Sequence, residues 1–325
     1  MTSKWFFCLA AAMCAALLCF PGTGTAAGLL DGLFGGDPKP FECAFEEDHN
    51  PPLDENSEAH KLYLQARDLE NSKPVLSKDE QANISLMYIQ AMEQGHWKAK
   101  AQMVARYLDG VGVRRSSARA TQAAYELMQQ GVPIGYFNFG LFKTKGWGTG
   151  QDGKEGMQLI HKAAALGSKD AQYMLGEYYI YKRFNDVLGL KYHVCAMRQG
   201  HAVSAEAISA YLEIVEKNNP MYVEYLLRAG GMGSVVSLAM VIQVFSAESP
   251  NTNKGYPANP RIATFVQDRC DQLDSNPKLR FPHISKEIQL PEHPIQGNGR
   301  QLPSKLKEAC GGMWPDEAYP DLKEW

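Results

Sequence analysis

Apolar, small and glycine positions recur through the middle of the chain at a regular interval. Two adjacent apolar residues precede a glycine by four and three positions, as Ala91 and Met92 precede Gly95, and a small residue, here Ala99, follows four positions later. The glycines are separated by 36, 36, 33 and 30 residues. A glycine of this kind ends a helix in the left-handed conformation, and small residues let helices approach closely. The repeated glycines are Gly95, Gly131, Gly167, Gly200 and Gly230.

Each repeat predicts a helix–turn–helix pair that cannot bury its apolar face alone. Stacked pairs bury a continuous core, so the pattern predicts an all-α solenoid over residues 57–248, with a groove lined by successive helices. Ten of the 18 prolines lie from Pro250 to Pro320, and proline interrupts helices. Residues 249–325 are therefore expected to form a helix followed by an extended proline-rich tail.

The N-terminus has the pattern of an export signal. Lys4 precedes an apolar run from Trp5 to Phe20, and Pro21 and small residues follow it. This order is typical of a signal peptide, which we expect to occupy residues 1–27 and to be removed, leaving 28–56 as an N-terminal arm. An uncleaved membrane anchor is the alternative, although the run is short for a spanning helix. The sequence therefore predicts a periplasmic protein without stable membrane insertion.

Four cysteines remain after signal removal, and an even number in an oxidising compartment favours disulfides with three possible connectivities. We expect Cys270 to pair with Cys310 and tether the proline-rich segment, which leaves Cys43 to pair with Cys195 and pin the N-terminal arm. The alternative for Cys195 is that it is a small buried hydrophobe within a helix.

Composition and motifs argue against several functions. A net charge of −3 is too mild for a nucleic-acid partner, and 45% hydrophobic residues exclude wholesale disorder. The chain contains no H-x-K-x4-D, G-x-S-x-G, Walker or H-E-x-x-H motif. We therefore expect no enzyme activity, no cofactor and no metal site, and we interpret the scattered histidines as structural.

Two turns within the repeats carry a family resemblance. Gly110-Val111-Gly112-Val113 and Gly146-Trp147-Gly148-Thr149 resemble the G-x-G-V turn of Sel-one-like repeats, relatives of the tetratricopeptide repeat, whereas the third turn lacks both glycines. After the repeats, residues 276–282 read N-P-K-L-R-F-P and Leu290-Pro291 follows. This arrangement is similar to the Sel-one-like immunity proteins encoded beside type VI secretion phospholipase effectors.

The resemblance implies a periplasmic immunity protein that binds and occludes a secreted lipase effector of the phospholipase D type. An envelope scaffold or regulatory adaptor is the alternative, because Sel-one-like arrays also assemble such complexes. Candidate partner-binding residues are of two kinds: groove tyrosines, for which core packing is the alternative, and acids able to mimic phosphate, for which a solvated segment is the alternative. The candidates are Tyr107, Tyr136, Tyr173, Tyr178, Glu46, Glu47, Asp48, Asp316 and Glu317.

Overall fold

The structure, a computed structural model, describes residues 41–72, 75–247, 249–300 and 304–313. Within these ranges the chain forms fifteen α-helices and one short 3₁₀-helix, Glu46–Asp48, and no β-strand. The predicted all-α fold is therefore confirmed. The expected signal peptide and the acids Asp316 and Glu317 lie outside the described residues.

Eleven helices follow one another as the array, and four shorter or terminal elements complete the chain. The array helices are α1 (Glu58–Glu70), α2 (Lys78–Glu93), α3 (Trp97–Asp109), α4 (Ser117–Gln129), α5 (Pro133–Lys145), α6 (Gly153–Ala165), α7 (Lys169–Tyr181), α8 (Asp186–Met197), α9 (Ala202–Ile214), α10 (Asn219–Gly231) and α11 (Val235–Ser246). The others are α12 (Pro250–Asn253), α13 (Pro260–Ser275), α14 (Ile284–Ile288) and α15 (Lys305–Ala309).

Left-handed glycines join the two helices of each pair. Gly95, Gly131, Gly167 and Gly200 have φ between 78° and 89°, as the repeat pattern predicts. The fifth assignment was wrong: Gly230 lies inside α10, and Gly233, with φ 104°, makes the turn. Gly230 is glycine for a different reason, because a Cβ there would lie 2.1 Å from Leu238 Cδ2 on the next helix.

The turns between pairs explain why the repeat shortens. Residues 110–116 and 146–152 connect pairs with seven residues, whereas 182–185 and 215–218 use four. The difference, 7 − 4 = 3, matches the change in glycine spacing from 36 to 33. In the long turns, Gly112 and Gly148 take positive φ; in the short turns, Phe184 (φ 51°) and Lys217 (φ 54°) do so.

Buried hydrophobic residues form three clusters along the array. The first joins α1 to α5 around Tyr88, Met103 and Leu127. The second joins α7 to α10 and also contains Leu306 on α15, and the third joins α10, α11, α13 and α14 around Phe245. Each cluster draws on neighbouring helices, as expected when stacked pairs complete one another's core.

A buried arginine ties the first three helices together. Arg106 donates hydrogen bonds to Glu70 (2.6 Å) and Ser85 (2.8 Å), and the Ser85 hydroxyl donates to the Val111 carbonyl (2.9 Å). The Tyr88 hydroxyl donates to the second Glu70 carboxylate oxygen at 2.7 Å. These bonds pair both terminal guanidinium nitrogens of Arg106 with oxygen acceptors, and such buried groups would be costly if left unpaired.

The C-terminal segment packs back along the array. Helix α13 contacts α11, and α14 contacts α10. The Phe281 amide then donates to the Gly231 carbonyl (2.8 Å), and the Asn218 side chain donates to the Gly299 carbonyl (2.8 Å). Helix α15 packs on α8. The segment expected to be extended thus contains two short helices, and its second one completes the core of an earlier repeat.

One of the two expected disulfides is present. Cys43 is bonded to Cys195 on α8, with a sequence separation of 152 residues. The pairing of Cys270 with Cys310 is wrong, because no disulfide joins them and both thiols are buried. Cys270 belongs to the cluster around α11 and α13, whereas Cys310 belongs to the cluster around α8 and α15. The return of the chain along the array separates them.

Candidate functional site

The N-terminal arm lies across the glycine turns of the array. Its Ala44 carbonyl accepts a hydrogen bond from Gln172 (2.9 Å), and its Glu46 amide donates to Gln199 (2.7 Å). Farther along, the Pro51 carbonyl accepts from the Trp97 indole (3.0 Å). Together with the disulfide, these bonds fix the arm over helices from α8 back to α3, so residues 43–51 present a defined surface.

The acidic stretch of this arm is split by burial. Burial, and to a smaller extent the charge of Asp170, raise the pKa of Glu46 to about 7. Glu47 and Asp48 are exposed on the same 3₁₀-helix. At neutral pH Glu46 is therefore only partly ionised, and the surface anions of the stretch are Glu47 and Asp48.

The four tyrosines proposed to line a groove do not form one exposed row. Tyr107 is buried in the first core cluster, so packing rather than partner contact explains it, and that assignment is corrected. Tyr136 on α5 and Tyr173 and Tyr178 on α7 are half-buried. The Tyr173 ring lies 5.6 Å from the His193 ring and 5.3 Å from the His201 ring. The three tyrosines that remain candidates lie on α5 and α7, and these two helices contact each other.

Buried histidines have structural partners. His193 on α8 is fully buried, and its Nε2 lies 3.2 Å from Glu177 on the preceding helix. A Cβ at Gly176 would lie 2.7 Å from the His193 ring, so the glycine makes room for it. Burial lowers the pKa of His161 on α6. Over the described part of the chain, no group of three metal-ligating side chains occurs.

The turns between the later pairs carry a surface that sequence reasoning missed. Four large apolar side chains are exposed there and a fifth is exposed on the returning C-terminal segment, although such residues are usually buried. We call this surface the apolar edge; it comprises Tyr181, Phe184, Ile214, Val215 and Ile295. The only signal in the sequence was the third turn, which lacks both glycines and has a phenylalanine instead.

Charged groups surround the apolar edge. Lys182, Arg183 and Lys217 are exposed. The neighbouring acids have partners: Asp186 accepts from the Tyr211 hydroxyl (2.6 Å), and Glu216 accepts from the Lys305 amide. Exposed apolar and aromatic groups with arginine and lysine around them suit protein recognition rather than bond-making chemistry. In the residues that can be described, no helix is long and apolar enough to cross a bilayer.

Three solved structures resemble this chain over most of its length. The immunity protein Pa5087 from Pseudomonas aeruginosa is 31% identical, with a TM-score of 0.71, and the match covers 80% of this chain and 97% of that one. Protein 5086 (PA5086) and the immunity protein PA5088, both from Pseudomonas aeruginosa, are 30% identical over 80% of this chain and 98% of theirs, with TM-scores of 0.69 and 0.68. No protein-family model and no curated protein matches.

Proposed function

This chain belongs to the family of the immunity proteins Pa5087 and PA5088 of Pseudomonas aeruginosa, and on that premise we propose that it protects its producer by binding a toxic effector. The observation that carries the proposal is the match over nearly the whole length of those proteins at 30–31% identity. A match over 80% of this chain extends beyond the repeats of residues 57–248. Protection by binding needs no catalytic group, and we propose that the chain is not an enzyme.

The proposed target is a type VI secreted lipase of the phospholipase D type. The support is the N-P-K-L-R-F-P sequence of residues 276–282 after the repeats, which is similar to that of immunity proteins encoded beside such effectors. In the structure its Phe281 amide bonds to Gly231, and the Arg269 guanidinium lies 5.3 Å from the Phe281 ring. The segment is thus built into the last helix pairs and shapes the surface that a partner would meet.

The proposed compartment is the periplasm. The Cys43–Cys195 disulfide supports it, because such bonds persist in oxidising compartments and are rare in the cytosol. The apolar run from Trp5 to Phe20 supplies the export signal. A lipase that reaches the envelope would meet its inhibitor there, before it degrades the membrane.

Occlusion is proposed to use the arm and the surface tyrosines together. Glu47 and Asp48 are exposed acids on a fixed 3₁₀-helix, and a phosphate-binding site would attract them. Tyr136, Tyr173 and Tyr178 would add contact area, while Asp316 and Glu317 would contribute from the tail. A preordered surface loses little entropy on binding, which favours the high affinity that neutralising a toxin requires.

Competition between cells tests this function. A strain from which the gene for this chain is deleted receives the full chain, a version without residues 1–27, or an empty vector. Each resulting strain is then placed in contact with the parent strain. We expect only the exported chain to restore survival, and unprotected cells to release phospholipid headgroups. Full protection by the leaderless version would contradict a periplasmic target. No protection by the exported chain would contradict immunity and favour an envelope scaffold.

A further inference from the structure

The apolar edge is exposed to a degree that the fold does not require. Phe184 is 85% exposed and Ile295 is 88% exposed, so each side chain projects almost entirely into solvent. Scattered surface hydrophobics are ordinary, but an adjoining set is not. Tyr181, Ile214 and Val215 are the other members, and all lie at the ends of helices or in the turns after them.

Specific contacts bring these residues together. The Tyr211 hydroxyl on α9 donates to Asp186 at the start of α8, which places the two short turns side by side. The Gln296 side chain donates to the Lys217 carbonyl (2.8 Å) and accepts from the Asn219 amide (2.9 Å). Ile295, next to Gln296, therefore lies against the second short turn. One surface thus combines two successive turns and the returning C-terminal segment.

Backbone conformation at this edge also departs from the pattern of the earlier repeats. Phe184 has φ 51° and Lys217 has φ 54°, whereas the two long turns place glycine at their left-handed positions. A side chain other than glycine, asparagine or aspartate is unfavourable there. Phe184 and Lys217 therefore carry backbone strain that glycine would avoid.

Both short turns are nevertheless held firmly. The Asn185 amide donates to the Tyr179 carbonyl (2.9 Å), and its side chain caps α8 by accepting from the Leu188 amide (3.1 Å). The buried Asn218 makes the equivalent cap at α10. The projecting residues are therefore presented in fixed positions, which lowers the entropy cost of contact with a partner.

The chemistry of the surface indicates the kind of partner. Asp186 and Glu216 are already hydrogen-bonded within the chain, while Lys182 and Lys217 are exposed. A complementary surface would have an apolar pocket at its centre and carboxylates around it. Aromatic and arginine anchors surrounded by charged groups are characteristic of protein interfaces. A lipid surface fits less well, because the acids Asp186 and Glu216 lie among the cations.

We propose that the apolar edge is the main docking surface for the effector, with Phe184 and Ile295 entering an apolar cleft that carboxylates border. The inference rests on the proposed function and adds to it a site distinct from the tyrosines and the acidic arm. The apolar edge binds the effector, and the N-terminal arm occludes the effector's active site.

Two sets of variants test the surface in the full chain. Phe184→Ser with Ile295→Ser removes both projecting anchors. Leu86→Ser with Val236→Ser removes two apolar side chains that are 52% and 60% exposed but lie on α2 and α11, away from the edge. A third variant, Phe184→Gly, removes the anchor and relieves the positive φ. Its thermal stability should therefore equal or exceed that of the wild type.

The assay is the same cell competition, with protein level measured by immunoblot and the melting temperature of each purified chain. We expect Phe184→Ser/Ile295→Ser and Phe184→Gly to lose protection at normal protein level, because removal of an anchor side chain should weaken binding of the effector about thirtyfold. The control pair should protect like the wild type. Loss of function in a variant that is as stable as the wild type separates a binding role from a structural one.

Other results would overturn the proposal. If both edge variants protect as well as the wild type, the surface is not the docking site, although the proposed function stands. If the wild type itself fails to protect, the proposed function fails and this inference fails with it. Binding of the wild type but not the edge variants to phosphatidylglycerol vesicles would assign the edge to lipid. A wild-type dimer that the edge variants dissociate would assign it to a second copy of the chain.

Discussion

The disulfide between Cys43 and Cys195 should be the largest single covalent contribution to the stability of this protein. It closes a loop with a sequence separation of 152 residues and attaches the N-terminal arm to α8. We consider replacing both cysteines with serine. The bond restricts the unfolded chain, so its loss lowers the free energy of unfolding even if the folded arm stays in place.

Loop length sets the size of the effect. The chain-entropy treatment gives about 5 kcal/mol at room temperature for a loop of this size, and measured values are commonly lower. Hydrogen bonds between the arm and the side chains of Gln172, Gln199 and Trp97 still hold it in the variant. We therefore expect a loss of about 2–5 kcal/mol, which corresponds to a melting temperature lower by roughly 5–15 °C.

Urea denaturation of the wild type and the double serine variant, each with and without reductant, measures this effect. Reductant should lower the urea midpoint of the wild type to that of the variant, and it should leave the variant unchanged. The variant supplies the matched control, because it keeps Cys270 and Cys310. Any effect of reductant on stability through these two cysteines would therefore appear in the variant as well. A wild-type urea midpoint that does not change with reductant would show that the disulfide does not stabilise the folded chain.

Three further predictions concern the array. The folded state holds the Glu46 proton more tightly than the unfolded chain, so the contribution of this proton to stability is full below pH 4.5 and is lost as pH rises through about 7. Glu46→Gln should remove this fall in melting temperature with pH, whereas Glu47→Gln should not. Identical pH profiles of melting temperature for the two variants would contradict the raised pKa. Gly131→Ala has open space around its Cβ and should lower the free energy of unfolding by about 1–2 kcal/mol in urea denaturation. Gly112→Ala should lower it by more than about 3 kcal/mol, because its Cβ would lie 2.0 Å from a backbone oxygen of α2. Similar losses in the two variants would argue against the close approach. Arg106→Ala breaks a buried network and should cost about 2–3 kcal/mol by the same measurement, while a loss under about 1 kcal/mol would show that the ion pair contributes little.

The repeat architecture could be predicted because it depends on local rules. Gly95 and Gly131 occupy positions where the backbone needs a left-handed residue, and that need is visible in the sequence. Gly230 misled the assignment because a glycine can also be required by a neighbouring side chain, here Leu238. Sequence spacing does not distinguish these two causes, whereas packing does.

The candidate surfaces were harder to predict because they depend on contacts between distant segments. Tyr107 matched the expected spacing of a groove residue but is buried in the core. Cys270 and Cys310 are separated because the C-terminal segment runs back to α8, a path that no local pattern indicates. The apolar edge likewise forms only when the segment that carries Ile295 lies beside the second short turn, through the hydrogen bonds of Gln296.

The proposed inhibition of a lipase is measured by titrating the isolated effector with the chain that lacks residues 1–27. Phospholipid headgroup release is measured while the chain is added to a fixed amount of enzyme, above the expected dissociation constant. We expect activity to fall linearly and to end near one chain per enzyme. Full activity in the presence of excess chain that has its native disulfide would contradict the claim that this protein neutralises a lipase by binding it.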